Sequence, residues 1–175
     1  GYKRVLKYMK PGVWEHELEA EFMHEFLMNR SRGFAYTPII AAGNNANVLH
    51  YIENNDECHD GDLVLFDVGA EYGNYTCDVT RCFPVNGKFT ARQAEVYNAV
   101  LSVHEGAIAL LRPGIMLDDY HKKVGELMTK ELLKLGLITA EDVANEDPAW
   151  PAYKKYFMHG TSHYLGLDVH DYGLW

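Results

Sequence analysis

The sequence has 175 residues, 47% apolar and 23% charged, with a formal net charge of -9. That composition is globular and long enough to bury a core, and its acidity argues against nucleic acid and anionic membranes as main partners. No apolar run nears the roughly 20 residues that span a bilayer, and three cysteines (Cys58, Cys77, Cys82) without paired spacing point away from a disulfide framework and toward a reducing, cytoplasmic setting.

The chain opens on Gly1 with no secretory apolar segment, so the expectation is that the true start lies upstream. Residues 2–9 read as a basic amphipathic helix stopped by Pro11-Gly12. A second helix is predicted over 15–29, with Leu18, Phe22, Phe26 and Leu27 on one face. Short strands are predicted over 38–42 and 48–52, with a polar loop between them. Asp60-Gly61 precedes the clearest strand, 63–71. A turn at 72–74 leads to a return strand over 75–83, and Asn86-Gly87 makes another turn.

Thr90 and Gln93 have the spacing of a capping box. The helix they open carries Tyr97, Val100, Leu101, His104, Ile108 and Leu111 on one stripe. Another helix is predicted over 118–135, ended by Gly136, followed by a short acidic helix and a proline-bounded loop to 151. Residues 156–158 and 164–169 read as strands around a histidine cluster. Two short matches suggest an internal repeat: Met9-Lys-Pro-Gly-Val13 with Leu111-Arg-Pro-Gly-Ile115, and Val48-Leu-His-Tyr51 with Asp168-Val-His-Asp171. The expectation is two related α/β halves, the second incomplete.

Chemistry enters with Asp67 and Asp78, each interrupting an apolar strand. If the connecting loop is Tyr72-Gly73 they lie directly opposite each other, and if it is Gly73-Asn74 they lie diagonally. Either even-length loop puts both on one face; an odd-length loop separates them. Two carboxylates on one apolar face repel each other and are costly to bury, so a proton, an arginine or a cation must offset them. Arg81 alternates to the other face from Asp78. Oxygen ligands suit manganese, magnesium or zinc. The bland alternative is a pair of edge-strand aspartates facing water.

His159, His163 and His170 form the second constellation. His159 and His163 are four apart, as in a helical zinc pair, but Gly-Thr-Ser between them makes poor helix and lacks that motif's glutamate. One histidine on a metal and the others near substrate is the favoured reading, against a set of structural histidines. His50 gains weight from its match to His170. His16, His24, His59, His104 and His121 get the ordinary structural reading, and Cys77 and Cys82 read as core cysteines.

These residues resemble a known family. Leu-His-Tyr at His50, Asp60-Gly-Asp-Leu-Val-Leu-Phe-Asp-Val-Gly69, Asp78-Val-Thr-Arg81, the run from Phe83 to Thr90, and Met158-His-Gly-Thr-Ser-His-Tyr-Leu-Gly-Leu-Asp-Val-His-Asp171 are similar to Xaa-Pro aminopeptidase (aminopeptidase P). The resemblance implies an α+β pita-bread fold: a curved antiparallel sheet, flanking helices and pseudo-two-fold halves. It implies metal ligation by Asp67, Asp78 and His163, with Asp78 bridging, and substrate contacts by His50, His159 and His170. It further implies two divalent ions, manganese first with zinc or cobalt as alternatives, bridging a hydroxide that attacks the scissile carbonyl. The implied substrates are peptides with proline second, and the full-length protein is expected to be a homo-oligomer.

The family's two glutamate ligands and its separate N-terminal domain have no counterpart in residues 1–175. The 175 residues alone are therefore expected to be weakly active or inactive. The alternatives are an Xaa-Pro dipeptidase, a non-catalytic peptide-binding pita-bread domain, and a metal-free hydrolase of the creatinase type, the last disfavoured by Asp67 and Asp78.

Overall fold

A computed structural model describes residues 1–173 as two compact units, Gly1–Phe89 with His163–Gly173, and Thr90–Ser162. The first unit begins with α1 (Tyr2–Tyr8) and α2 (Glu15–Met28). Short strands β1 (Gly33–Phe34) and β2 (Ile39–Ala42) follow, then a 3-10 turn, Gly43–Asn47. A hairpin of β3 (Leu63–Val68), β4 (Ala70–Glu71) and β5 (Val79–Pro84) completes it. The order β2-β3-β5 is antiparallel throughout, and β4 pairs separately with β1.

Period-two alternation sorts β3. Val64, Phe66 and Val68 are buried against Val5, Leu18 and Phe22 of the two helices, while Leu63, Leu65 and Asp67 take the other face. Phe66 is fully buried and meets Tyr2 and Phe22 edge-on. Burying one such side chain contributes about 1.5–3 kcal/mol. On α2, Leu18, Phe22 and Phe26 face this core at intervals of four, but Leu27 falls off the stripe and is exposed. On the Asp67 face, Leu65 packs with Ile39, Ala41 and Tyr51 in a second cluster.

The second unit pairs α3 (Ala91–Leu110) with α4 (Leu117–Lys134), followed by α5 (Ala140–Ala144) and a 3-10 turn, Ala152–Lys155. The Thr90–Gln93 capping box forms as the spacing predicts. Gly136 takes a left-handed φ of 67° after α4.

Several expectations are corrected. Residues 48–52 form no strand but a turn, with Val48, Leu49 and Ile52 exposed, because buried contacts go to Tyr51 alone in that stretch. The strand predicted over 63–71 breaks at Gly69, where β4 changes partner from the β2 sheet to β1. The return strand starts at Val79 rather than Tyr75. Neither 156–158 nor 164–169 is a strand. The first follows a 3-10 turn, and the second holds only an isolated bridge, Tyr164 to Asp171. The core face of α3 is Ala99, Val103 and Ala107, not the stripe of larger residues. A Cβ on Gly106 would sit 2.9 Å from Leu127 Cδ1, so α3 and α4 approach too closely for large side chains at the seam. Val100, Leu101, Ile108 and Leu111 are exposed. Cys58 is buried, whereas Cys77 is exposed and not a core residue, and Cys82 is half-buried.

Candidate metal centre

The hairpin sets the aspartates. Its register pairs Asp67 with Thr80 and Val68 with Val79, and Tyr72 bridges Tyr75 around a two-residue turn. Gly73 and Asn74 both take positive φ, 61° and 70°, the conformation of the hairpin turn that matches strand twist. The loop is therefore even, and Asp78 lies diagonally from Asp67 on the same face. A Cβ on Gly69 would fall 1.5 Å from the Cys77 carbonyl oxygen and 2.9 Å from Tyr36 Cε1. Only glycine lets the returning chain and the Tyr36 ring come so near.

Tyr36 reaches this spot because Ala35 N–H donates to the Gly69 carbonyl (2.8 Å) just past the β1–β4 pairing. Its hydroxyl lies 2.6 Å from Asp67 Oδ1 and 3.2 Å from Asp78 Oδ1. Burial, then the bond to Asp67 and the charge of both carboxylates, push that hydroxyl far above the ordinary phenol range, so it stays a donor. Sequence reasoning missed Tyr36. An aromatic residue in a short apolar stretch reads as core, and no spacing ties it to aspartates 31 and 42 residues on.

His163 meets the same cluster. Its Nε2 lies 2.9 Å from Asp78 Oδ2, and its Nδ1 lies 2.9 Å from the Tyr164 carbonyl. A carbonyl only accepts, so Nδ1 carries a hydrogen and, in the neutral ring, Nε2 presents its lone pair to a carboxylate. Two acceptors at that distance need a shared positive charge, a proton or a metal ion. The spacing suits neighbouring ligands of one cation, about 3 Å apart when bonds of roughly 2.1 Å meet at right angles. A backbone carbonyl fixing the far nitrogen is also the usual support of a metal-binding histidine. Among the described residues, however, no three His, Cys, Asp or Glu side chains surround one point. Asp78 is instead shared, one oxygen toward the Tyr36 hydroxyl that also meets Asp67, the other toward His163. Two carboxylates and an imidazole are a donor set whose chemistry fits a divalent cation.

The remaining histidines separate. His170 stacks on His163, with ring centres 4.0 Å apart and planes 23° apart. His50 is exposed on the turn after the 3-10 segment, with a left-handed φ of 56°. His159 belongs to the second unit, where its ring meets Phe157 edge-on at 4.9 Å and its Nδ1 lies 2.8 Å from the Gly160 carbonyl.

The sequence pattern of metallopeptidase family M24 matches residues 1–174. The chain belongs to metallopeptidase family M24. This M24 chain is 44% identical over 174 residues to Xaa-Pro aminopeptidase of Escherichia coli (strain K12), covering 99% of the chain and 39% of that relative. It is 41% identical over 162 residues to Xaa-Pro aminopeptidase 3 of Homo sapiens, covering 93% and 31% respectively. Zn-substituted Escherichia coli aminopeptidase P in complex with product superposes with a TM-score of 0.89 at 43% identity, over 99% of this chain and 39% of that one. A histidine-to-alanine variant of the same enzyme gives 0.90 at the same identity and coverage. The M24 chain thus has the α+β, pita-bread fold of aminopeptidase P and spans between about a third and two fifths of the length of these relatives.

Proposed function

We propose that the protein is a metalloaminopeptidase that releases an N-terminal residue preceding proline. The observation that carries this reading is Asp78: one carboxylate oxygen faces Tyr36 beside Asp67 and the other faces His163. Asp67, Asp78 and His163 would hold two divalent ions, with Asp78 the residue common to both. Manganese is the proposed metal, and the same donors admit zinc or cobalt. The chemistry supplied by bound divalent cations is polarisation of the scissile carbonyl and a stronger water nucleophile at neutral pH.

The chain's own residues do the rest by placement. Tyr36 donates into the gap between the two carboxylates, holding them as acceptors on one face. The Nδ1 bond and the stacked His170 ring hold His163 Nε2 toward Asp78. His50 and His170 are proposed to donate to substrate oxygens, where developing charge is best stabilised by groups already in position. His159 keeps the same role on the strength of the motif alone. On ligand count, residues 1–175 supply three of the family's five metal ligands, so this stretch alone turns over proline peptides weakly or not at all. The similarity to Xaa-Pro aminopeptidases supports peptides with proline second as substrates. Cytoplasmic residence, a homo-oligomeric state, and action away from nucleic acid and membranes complete the proposal; no described helix is long and apolar enough to cross a membrane.

Calorimetric titration with manganese tests the centre. Saturable binding is expected, weakened at least about 100-fold in Asp78→Asn, because one substitution strips a ligand from both positions. Affinity within threefold of the parent would remove Asp78 from the centre. Release of the first residue from peptides with proline or alanine second, measured on the full-length protein, tests specificity, and equal measurable rates would refute it.

A further inference from the structure

A second buried polar cluster centres on Glu15, at the first position of α2. Its side chain is fully buried. Oε1 accepts from Ala42 N–H at 2.7 Å and from Asn45 Nδ2 at 3.1 Å, while Oε2 accepts from the Tyr51 hydroxyl at 2.7 Å and Asp56 N–H at 3.0 Å. Four donors fill the acceptor capacity of a carboxylate. Burying a charge is costly, and these bonds are what offset it.

The donors have a pattern. They come from the end of β2, the 3-10 turn, and residues 51 and 56, the two sides of the turn that carries His50. Asn54, also buried, reinforces the second side: its Oδ1 accepts from Ile40 N–H at 3.0 Å and its Nδ2 donates to the Pro38 carbonyl at 2.9 Å. Tyr51 is the direct link. Its ring packs with Ile39, Ala41 and Leu65, and Ile39 is the register partner of Asp67. Tyr51 therefore rests on the sheet face that presents Asp67, and its hydroxyl ends on Glu15. Burial and then that bond push the hydroxyl up to about 12, so it remains a donor at neutral pH. Between these anchors His50 holds a left-handed backbone conformation, uncommon outside glycine, with its imidazole exposed. A turn that merely connected two segments would not need a buried carboxylate at its base.

We propose that Glu15 is a positioning residue for His50, acting through Tyr51 and the 3-10 turn to fix the His50 backbone against the sheet face that carries Asp67. The proposal rests on the reading of His50 as a substrate-facing group. Glu15 was not singled out in the sequence because an acid in the first turn of a helix is already explained by the helix dipole.

The test is a double-mutant cycle on the manganese-loaded full-length protein with a peptide carrying proline second. Tyr51→Phe removes one hydroxyl and leaves the ring packing and the backbone bonds to Glu15. It is expected to lower kcat about fivefold, the worth of one hydrogen bond, with KM and calorimetric manganese affinity unchanged. In a His50→Ala background the same substitution should have no further effect on kcat. Glu15→Gln, which sets an amide against donors, should follow the same pattern with a larger loss. Equal losses in both backgrounds, or a drop in thermal midpoint with no change in kcat, would assign Glu15 a purely structural role and overturn the proposal. Unchanged kcat in His50→Ala alone would overturn the functional reading of His50 and this inference with it, so the two failures are told apart.

Discussion

The β3–β5 hairpin and the segment His163–Gly173 bring side chains to the same cluster by different means. The hairpin has six register pairs, from Leu63 with Pro84 to Val68 with Val79. Asp67 and Asp78 inherit their direction from that ladder and from the two-residue turn. The histidine segment has one isolated bridge, Tyr164 to Asp171, and is tied to the hairpin by Thr76, whose N–H and hydroxyl both donate to the Gly166 carbonyl at 2.9 Å. His163 is aimed by what touches its ring: Asp78, the Tyr164 carbonyl and His170. The difference teaches that the aspartates are preorganised by backbone, while the imidazole depends on side-chain support. A supporting shell of that kind sets how tightly a site holds its ion.

The largest expected effect comes from breaking the backbone side of this comparison. Gly69→Ala would place a methyl 1.5 Å from the Cys77 carbonyl oxygen and against the Tyr36 ring. The hairpin must open to admit it, at about 3 kcal/mol, the upper end for overpacking, read from urea unfolding. A change below about 0.5 kcal/mol would show that the close approach is not what orders the aspartates. Tyr36→Phe is milder and sharper. It keeps the ring and deletes the hydroxyl shared by the two carboxylates. Manganese affinity should fall about tenfold with stability altered by roughly 1 kcal/mol. Unaltered affinity would make Tyr36 a bystander.

The same contrast explains what the sequence made legible. Asp67 and Asp78 can be placed on one face because strand period and loop parity are local quantities, and the Gly73-Asn74 turn is one of the two even loops that do so. The histidine stretch misled. Its apolar residues, Leu165, Leu167 and Val169, alternate like a strand, yet Gly166 and Asp168 close on each other in a turn, with Gly166 N–H on the Asp168 carbonyl at 3.1 Å. The α3 stripe misled for a related reason: hydrophobicity marks a face for burial but does not say which face meets α4, and the small residues took the seam. Tyr36 and Glu15 were illegible because each acts on residues distant in sequence. Tyr36 joins positions 31 and 42 residues away, and Glu15 joins positions 27 to 41 away. Periodicity and capping rules reach only across neighbouring turns.

The smallest effect probes the side-chain half of the comparison. Asp171 holds the histidine segment from within: its carboxylate accepts from Leu167 N–H at 2.9 Å and Tyr172 N–H at 2.7 Å, and it lies over Gly166, where an added Cβ would meet it. Asp171→Ala leaves both amides without that acceptor and loosens the turn that carries the Gly166 carbonyl to Thr76. Each such bond contributes about 1 kcal/mol, and the segment is exposed enough for water to replace part of it. Global stability should therefore change little, while amide exchange over residues 164–172 quickens and exchange in β3 and β5 stays as before. His163 then spends less time facing Asp78, and manganese affinity should fall about threefold, less than in Tyr36→Phe. If exchange quickens equally in the hairpin, the two regions form one cooperative unit and the division drawn between them fails. If the segment loosens and manganese affinity holds, His163 is not aimed by its loop, and the bond to Asp78 alone directs the ring.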